Sequence, residues 1–394
     1  MDDDIISHGK DREPGPRPRR LTVIAALIVL VIGGGAFLTR SLVAQRSPAA
    51  ARPTPTGSAA PGGPAGPNGI AEQTLAWDRN LKLPVTGTRP AWFSPASGRA
   101  EPIGGLPVNR AGYQFTRVVG GWAVQASSAG SAGCGSCAPP PEPVWFLADG
   151  ARSATPIGTA SLVAPGATAG AVWLTSYPVR ANTMTASGMA REAGATGTPP
   201  RPVRLPPGYA VDQGTVRGLL LAPVSLQVDG TDVLWDLSAP ASSPVFAQVV
   251  AASPDEIAWT SPCATACVEV LNLATGRRTE VAVPAGSSAV NGAFSPDGSF
   301  LALQLSVGSP GDGGELGMRL AVAPVSSGRL APVPGTWVSS DALIGFGWPA
   351  AGDSLVAEFS FTTKMQLSSW DPGASLPAVT LIPPGKEETS LIVG

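Results

Sequence analysis

Histidine is nearly missing from this 394-residue chain; the single one is His8. Everything after residue 8 therefore lacks the groups for Ser-His-Asp or Cys-His catalysis and for His-ligated zinc, copper or iron. Lysine is scarce too, with Lys82, Lys364 and Lys386 alone beyond residue 10. Net charge is −2, and no basic run follows the N-terminal region, so a nucleic-acid partner is not expected. Charged residues are 14% of the chain, and apolar residues at helical spacing are hard to find. The Gly-rich stretches do not join a strand to a helix, so no phosphate cradle is indicated. Gly311-Asp312-Gly313-Gly314-Glu315 lacks the further ligands of a calcium loop at their offsets. No cofactor and no metal site are expected.

What is present begins with an uncharged run of 18 residues, Leu21 to Leu38, behind Arg17, Arg19 and Arg20. As a helix it would be about 27 Å long, close to the hydrocarbon thickness of a bilayer. Its arginine flank places residues 1–20 in the cytoplasm and the rest outside. The expectation is a retained signal anchor, with membrane lipid around 21–38. A cleaved signal peptide is the rival, but Leu42 and Ala44 suit a cleavage site poorly. Residues 39–70 read as a linker: 47–69 hold six Pro, five Gly and six Ala and no large apolar side chain.

Residues 71–394 form the outer part. Short apolar runs broken by Gly, Pro, Asp and Ser mark it as all-β. The clearest unit is Ala293-Phe294-Ser295-Pro296-Asp297-Gly298-Ser299-Phe300-Leu301-Ala302-Leu303, two strand-like runs around a Pro-Asp-Gly turn. Further strands follow each such hairpin and turn at Asn272 to Gly276, Ser326 to Gly328 and Asp371 to Gly373. Second strands starting near Trp122, Val172, Leu219, Ile257, Leu301 and Leu355 are spaced 50, 47, 38, 44 and 54 residues. Four strands per 40–50 residues is a β-propeller spacing. Seven blades are expected, with six or eight as alternatives. Leu81 to Gly105 would supply the outer strands of the seventh, and Ser390 to Val393 its inner strand.

The Phe-Ser-Pro-Asp-Gly…Leu-Ala-Leu stretch resembles the repeat of TolB-like and WD-repeat-like β-propellers. The anchor, linker and Ala/Gly/Pro/Arg-rich composition are similar to single-pass propeller proteins of high-GC actinobacteria. The resemblance implies a fold more than a function, because propellers host many activities. Trp235-Asp236 and Trp370-Asp371 occur, but the WD-repeat pairs are absent as a regular set.

Two cysteine pairs, Cys134/Cys137 and Cys263/Cys267, each follow a second strand and are expected as local disulfides in an oxidising compartment. Carboxylate-dependent glycosidase chemistry would need facing Asp or Glu. Asp229, Asp232, Asp236, Asp255 and Glu256 are the candidates, but their turn-like settings favour Asp bonding its own backbone. Trp92, Trp337, Trp348 and Trp370 lie nearer turns than the other tryptophans, and they are the candidates for a binding face. The expected role is a non-enzymatic binding or scaffolding module of the cell envelope, its partner an envelope protein, peptide or glycan. A glycan-processing enzyme, and a sensor signalling through the tail, are the alternatives.

Overall fold

The protein is represented by a computed structural model that describes Trp77 and residues 81–382 except 87–88, 109, 111, 128–138, 178–186, 195–201, 225–230, 239–243, 264–265, 309–316, 337, 340–342, 350–353, 362–363 and 375–377. The expected tail, membrane helix, linker and closing strand 390–393 lie outside these residues. Among the described residues no helix is long and apolar enough to cross a membrane, and every regular element is a strand.

Seven antiparallel meanders follow one another. Blade 1 has three strands, β1 (Leu83–Val85), β2 (Ala91–Ser94) and β3 (Arg99–Pro102). Blade 2 comprises β4 (Gly112–Val118), β5 (Gly121–Ser127), β6 (Glu142–Ala148) and β7 (Thr155–Ala160). Blade 3 comprises β8 (Leu162–Pro165), β9 (Val172–Ser176), β10 (Met189–Ala193) and β11 (Val203–Arg204). In blade 4 these are β12 (Tyr209–Thr215), β13 (Gly218–Pro223), β14 (Asp232–Trp235) and β15 (Val245–Phe246). Blade 5 runs through β16 (Val249–Ala252), β17 (Glu256–Ser261), β18 (Cys267–Asn272) and β19 (Arg278–Ala282). Blade 6 holds β20 (Ser287–Phe294), β21 (Phe300–Val307), β22 (Gly317–Pro324) and β23 (Ala331–Pro332), and β24 (Val338–Ser339) also pairs with β22. Blade 7 ends the series with β25 (Leu343–Gly347), β26 (Leu355–Phe361), β27 (Lys364–Trp370) and β28 (Ala378–Ile382). The strands expected from Trp122, Val172, Leu219, Ile257, Leu301 and Leu355 are β5, β9, β13, β17, β21 and β26.

The core is not inside any blade. It forms seven apolar clusters, each filling the seam between two neighbours. The clusters join blades 1–2, 2–3, 3–4, 4–5, 5–6 and 6–7, and Leu81 and Leu83 meet Val356 and Leu367 across 7–1. The ring is closed by that last seam. Second strands feed both of their seams by simple alternation. In β21, Leu301, Leu303 and Leu305 face blade 5 while Ala302 faces blade 7. In β13, Leu219 and Leu221 face blade 3 and Leu220 faces blade 5. Both faces are dry, so these strands read as continuous apolar runs instead of alternating ones.

Turns repeat with the blades. The turn from third to fourth strand ends on a left-handed glycine at Gly150, Gly276, Gly328 and Gly373, with φ of 70°, 73°, 64° and 94°, and Gly98, at φ 65°, ends the turn between the last two strands of blade 1. The innermost strands of blades 4 to 7 each carry a β-bulge, at Asp212, Val250, Val290 and Ile344. A bulge inserts one unpaired residue and sharpens the local twist. Three blades fill it with an aliphatic residue, and blade 4 with a carboxylate.

Candidate site in the cleft between blades 4 and 5

The structure places three of the four candidate tryptophans inside seams instead of on a face. Trp92 is buried at the 1–2 seam and its Nε1 donates to Ala151 O at 2.7 Å. Trp348 fills the 6–7 seam, stacks on Phe300 with centroids 6.1 Å apart, and donates to Ala293 O at 3.1 Å. Trp370 is buried beside it and donates to Ala374 O at 2.9 Å. In each case a carbonyl near a turn satisfies the indole N–H, so closeness to a turn does not bring exposure. Trp337 lies outside the described residues. Cys263 and Cys267 are at disulfide-bonding distance, with Cα atoms 5.8 Å apart, in the hairpin joining β17 to β18. Cys134 and Cys137 fall outside the described residues. The Glu280 carboxylate lies within 4.8 Å of both Cys263 and Cys267 sulfurs. A disulfide offers no thiolate, so that trio is not a metal site in the oxidised form.

The carboxylates divide by setting. Asp236 accepts from Ser238 N at 2.7 Å and Ser238 Oγ at 2.6 Å, which is local turn chemistry. Asp297 does the same in the Pro-Asp-Gly turn, and the hydrogen bonds from Ser295 and Ser299 hold its carboxyl below the usual range. Asp232 accepts from Val249 N at 2.7 Å, tying blade 4 to the first residue of β16. Its carboxyl is pushed up by burial, and that hydrogen bond partly offsets the rise. Asp229 is outside the described residues, and Asp255 is exposed at a turn.

Asp212 is the carboxylate that sequence reading passed over. Its side chain is exposed to water, but the protein packed around it partly desolvates the carboxyl. That burial, with the charge of Asp232 as a second cause, pushes its carboxyl up to about 6. No spacing marks it, because a bulge position depends on register.

Glu256 is buried at the base of blade 5, beneath the Pro-Asp-Gly turn of blade 6. Its Oε2 has no hydrogen-bond partner, while Asn272 Nδ2 reaches Oε1 at 3.5 Å. Burial pushes its carboxyl up; Asn272 and Arg277 oppose this, and Asp255 and Asp297 add to it. The folded state thus holds this proton more tightly than the unfolded chain does. Its contribution to stability rises as pH falls through the raised value and is lower at neutral pH. Glu256→Gln is therefore expected to be more stable than the parent at pH 7, with the gap narrowing as the pH is lowered toward 4. Urea midpoints across that range check it; a gap constant with pH would contradict it.

The described surface also has a cleft of about 400 Å³ between the outer halves of blades 4 and 5. Its lining includes Arg217, Val245, Phe246, Trp259, Glu269 and Arg278. Arg217 comes from the turn joining β12 to β13, and Arg278 opens β19, so two turns meet at one rim. The rings of Phe246 and Trp259 lie 4.9 Å apart at 55°. The Arg278 guanidinium stands over Trp259, 5.6 Å from the ring centre. Glu269 reaches Arg278 at 3.4 Å through Oε2 and accepts from Ser261 Oγ at 2.6 Å through Oε1. Val245 stays 60% exposed on the outer wall, and Val216, next to Arg217 in its turn, is 53% exposed.

With this geometry in view, comparison with solved structures finds propeller domains among the similar folds. A prolyl endopeptidase structure aligns with TM-score 0.50 and 11% identity over 76% of this chain. The alignment spans 47% of that endopeptidase's length. The β-propeller domain of the Trilobed protease from Pyrococcus furiosus aligns over 70% of this chain and 84% of its own, with TM-score 0.44 and 9% identity. A TolB structure from Agrobacterium tumefaciens aligns over 77% and 90%, with TM-score 0.37 and 9% identity. At these identities the likeness speaks for the fold alone. The chain matches no family profile and no curated protein.

Proposed function

We propose that this chain is a membrane-anchored propeller that binds partner molecules outside the cytoplasm and does not transform them. The observation that carries the reading is the cleft between blades 4 and 5. It puts an aliphatic wall and two guanidinium groups at one accessible place over a buried aromatic pair, and polar groups converging on apolar lining are the make-up of a recognition site. The absence of histidine after residue 8 supports it, as does the indole chemistry spent on packing at Trp92, Trp348 and Trp370. The uncharged run 21–38 behind three arginines supports the anchor, and the Cys263–Cys267 pair suits an oxidising compartment.

A second reading has one observation in its favour. Asp212, raised to about 6 beside Asp232, has the character of a proton donor in carboxylate-dependent glycan hydrolysis. One experiment separates the two. The full chain in detergent micelles is incubated with a panel of polysaccharides in excess chelator, and both retention and reducing-end release are measured. Retention without release is expected. Release that disappears in Asp212→Asn would replace the binding reading with the hydrolytic one.

A further inference from the structure

Among the described residues two blades hold an arginine over a tryptophan, and they treat it differently. In blade 2, Arg117 stands 5.0 Å from the Trp122 ring centre and is gripped by both oxygens of Asp149, at 2.5 and 2.9 Å. It also donates to Gly121 O at 3.1 Å. Three of that guanidinium's five N–H donors are thus engaged. In blade 5, Arg278 over Trp259 has one long contact to Glu269, at 3.4 Å, and its side chain stays 66% exposed. The Glu269 oxygen on the other side is already engaged by Ser261. Arg217, across the cleft, makes no ion pair among the described residues. The blade 4–5 cleft thus has guanidinium donors left over, in a fork geometry that suits a carboxylate held through two parallel bonds.

The remaining lining narrows the occupant. Trp259 is covered by Arg278 and Phe246, so no open aromatic plate is offered to a sugar ring. What is exposed instead is aliphatic, at Val245 and at Val216 beside Arg217. Charge is graded along the cleft. The arginines stand at the turn rim, whereas Glu269 pairs directly with Glu280 on β19 toward the disulfide end. We infer that the cleft between blades 4 and 5 binds a short acidic peptide segment, its carboxylates on Arg217 and Arg278 and an aliphatic side chain against Val245. This deepens the binding reading and rests on it.

The test uses the full chain in detergent micelles and a fluorescein-labelled Glu-Asp-Leu-Val-Asp-Glu peptide, read by fluorescence anisotropy. Two further peptides carry Gln and Asn, or Lys, at the acidic positions. Saturable binding of the acidic peptide is expected, weakening as salt rises from about 20 to about 300 mM. Arg217→Glu with Arg278→Glu should weaken it about tenfold or more, while Arg99→Glu, on the exposed β3, leaves it unchanged. Should the double charge reversal disturb near-UV circular dichroism, Arg217→Gln with Arg278→Gln serves in its place. Equal binding of the neutral or Lys peptide, or unaltered binding by the double variant, overturns the inference. Retention of oligogalacturonate in the cleft in place of the acidic peptide also overturns it, while leaving the binding reading intact. Cleavage of any of these molecules by the chain would bring down the binding reading itself.

Discussion

Gly328→Ala is expected to destabilise the propeller by about 2–4 kcal/mol, and Gly276→Ala by only about 1 kcal/mol. The two glycines hold the same place in successive blades, closing the turn from third to fourth strand with φ of 64° and 73°. A left-handed conformation costs an L-residue roughly 1–2 kcal/mol, partly offset because alanine restricts the unfolded chain. That part is common to both. The difference is what stands beside them. A Cβ on Gly276 meets nothing within 4 Å, while a Cβ on Gly328 would come within 2.0 Å of Glu280 O, in the backbone of blade 5. Neither backbone can turn aside, so blade 6 must back away from blade 5 and loosen the seam holding Val281 and Leu301. Denaturant midpoints at equal slope give the comparison. Equal losses in the two variants would mean that this close approach does not set the blade spacing.

Trp348→Ala should cost about 3–5 kcal/mol, among the largest single-residue losses in the chain. Trp348 fills the 6–7 seam together with Phe346, Phe359 and Trp370, and its indole N–H reaches Ala293 O on the inner strand of blade 6. Truncation leaves a cavity walled by rigid strands and a buried carbonyl without its donor. Trp348→Phe should lie between, keeping the ring's stacking on Phe300 and losing the hydrogen bond. Thermal or urea unfolding of both variants measures this. A near-neutral Trp348→Ala would show the ring to be a surface group after all.

Those two sites mark where sequence reading stops. Blade positions were legible because a second strand needs apolar residues on both faces, and Leu219-Leu220-Leu221 or Leu301-Ala302-Leu303 state that need openly. Turn chemistry was legible at Asp297 and Gly298 because it is local. The tryptophans were not: whether Trp348 faces water or Ala293 is decided by a blade 55 residues away. The cleft was hidden for the same reason, since Arg217 and Arg278 belong to different blades and share no motif. Asp212 was hidden by its bulge, which slips the register by one residue and brings a carboxylate where the later blades have Val250 and Val290.

The seam between blades 7 and 1 has a bearing on how the chain is made. Six seams join segments that leave the ribosome one after another, but Leu83 waits for Val356 and Leu367. Until they arrive, the growing arc has an uncovered apolar flank at each end, on blade 1 and on blade 6, and both await the missing seventh blade. A chain stalled at that stage would therefore expose two apolar edges at once, the kind of surface on which partly folded chains associate. Completion of the last blade covers both edges in a single step.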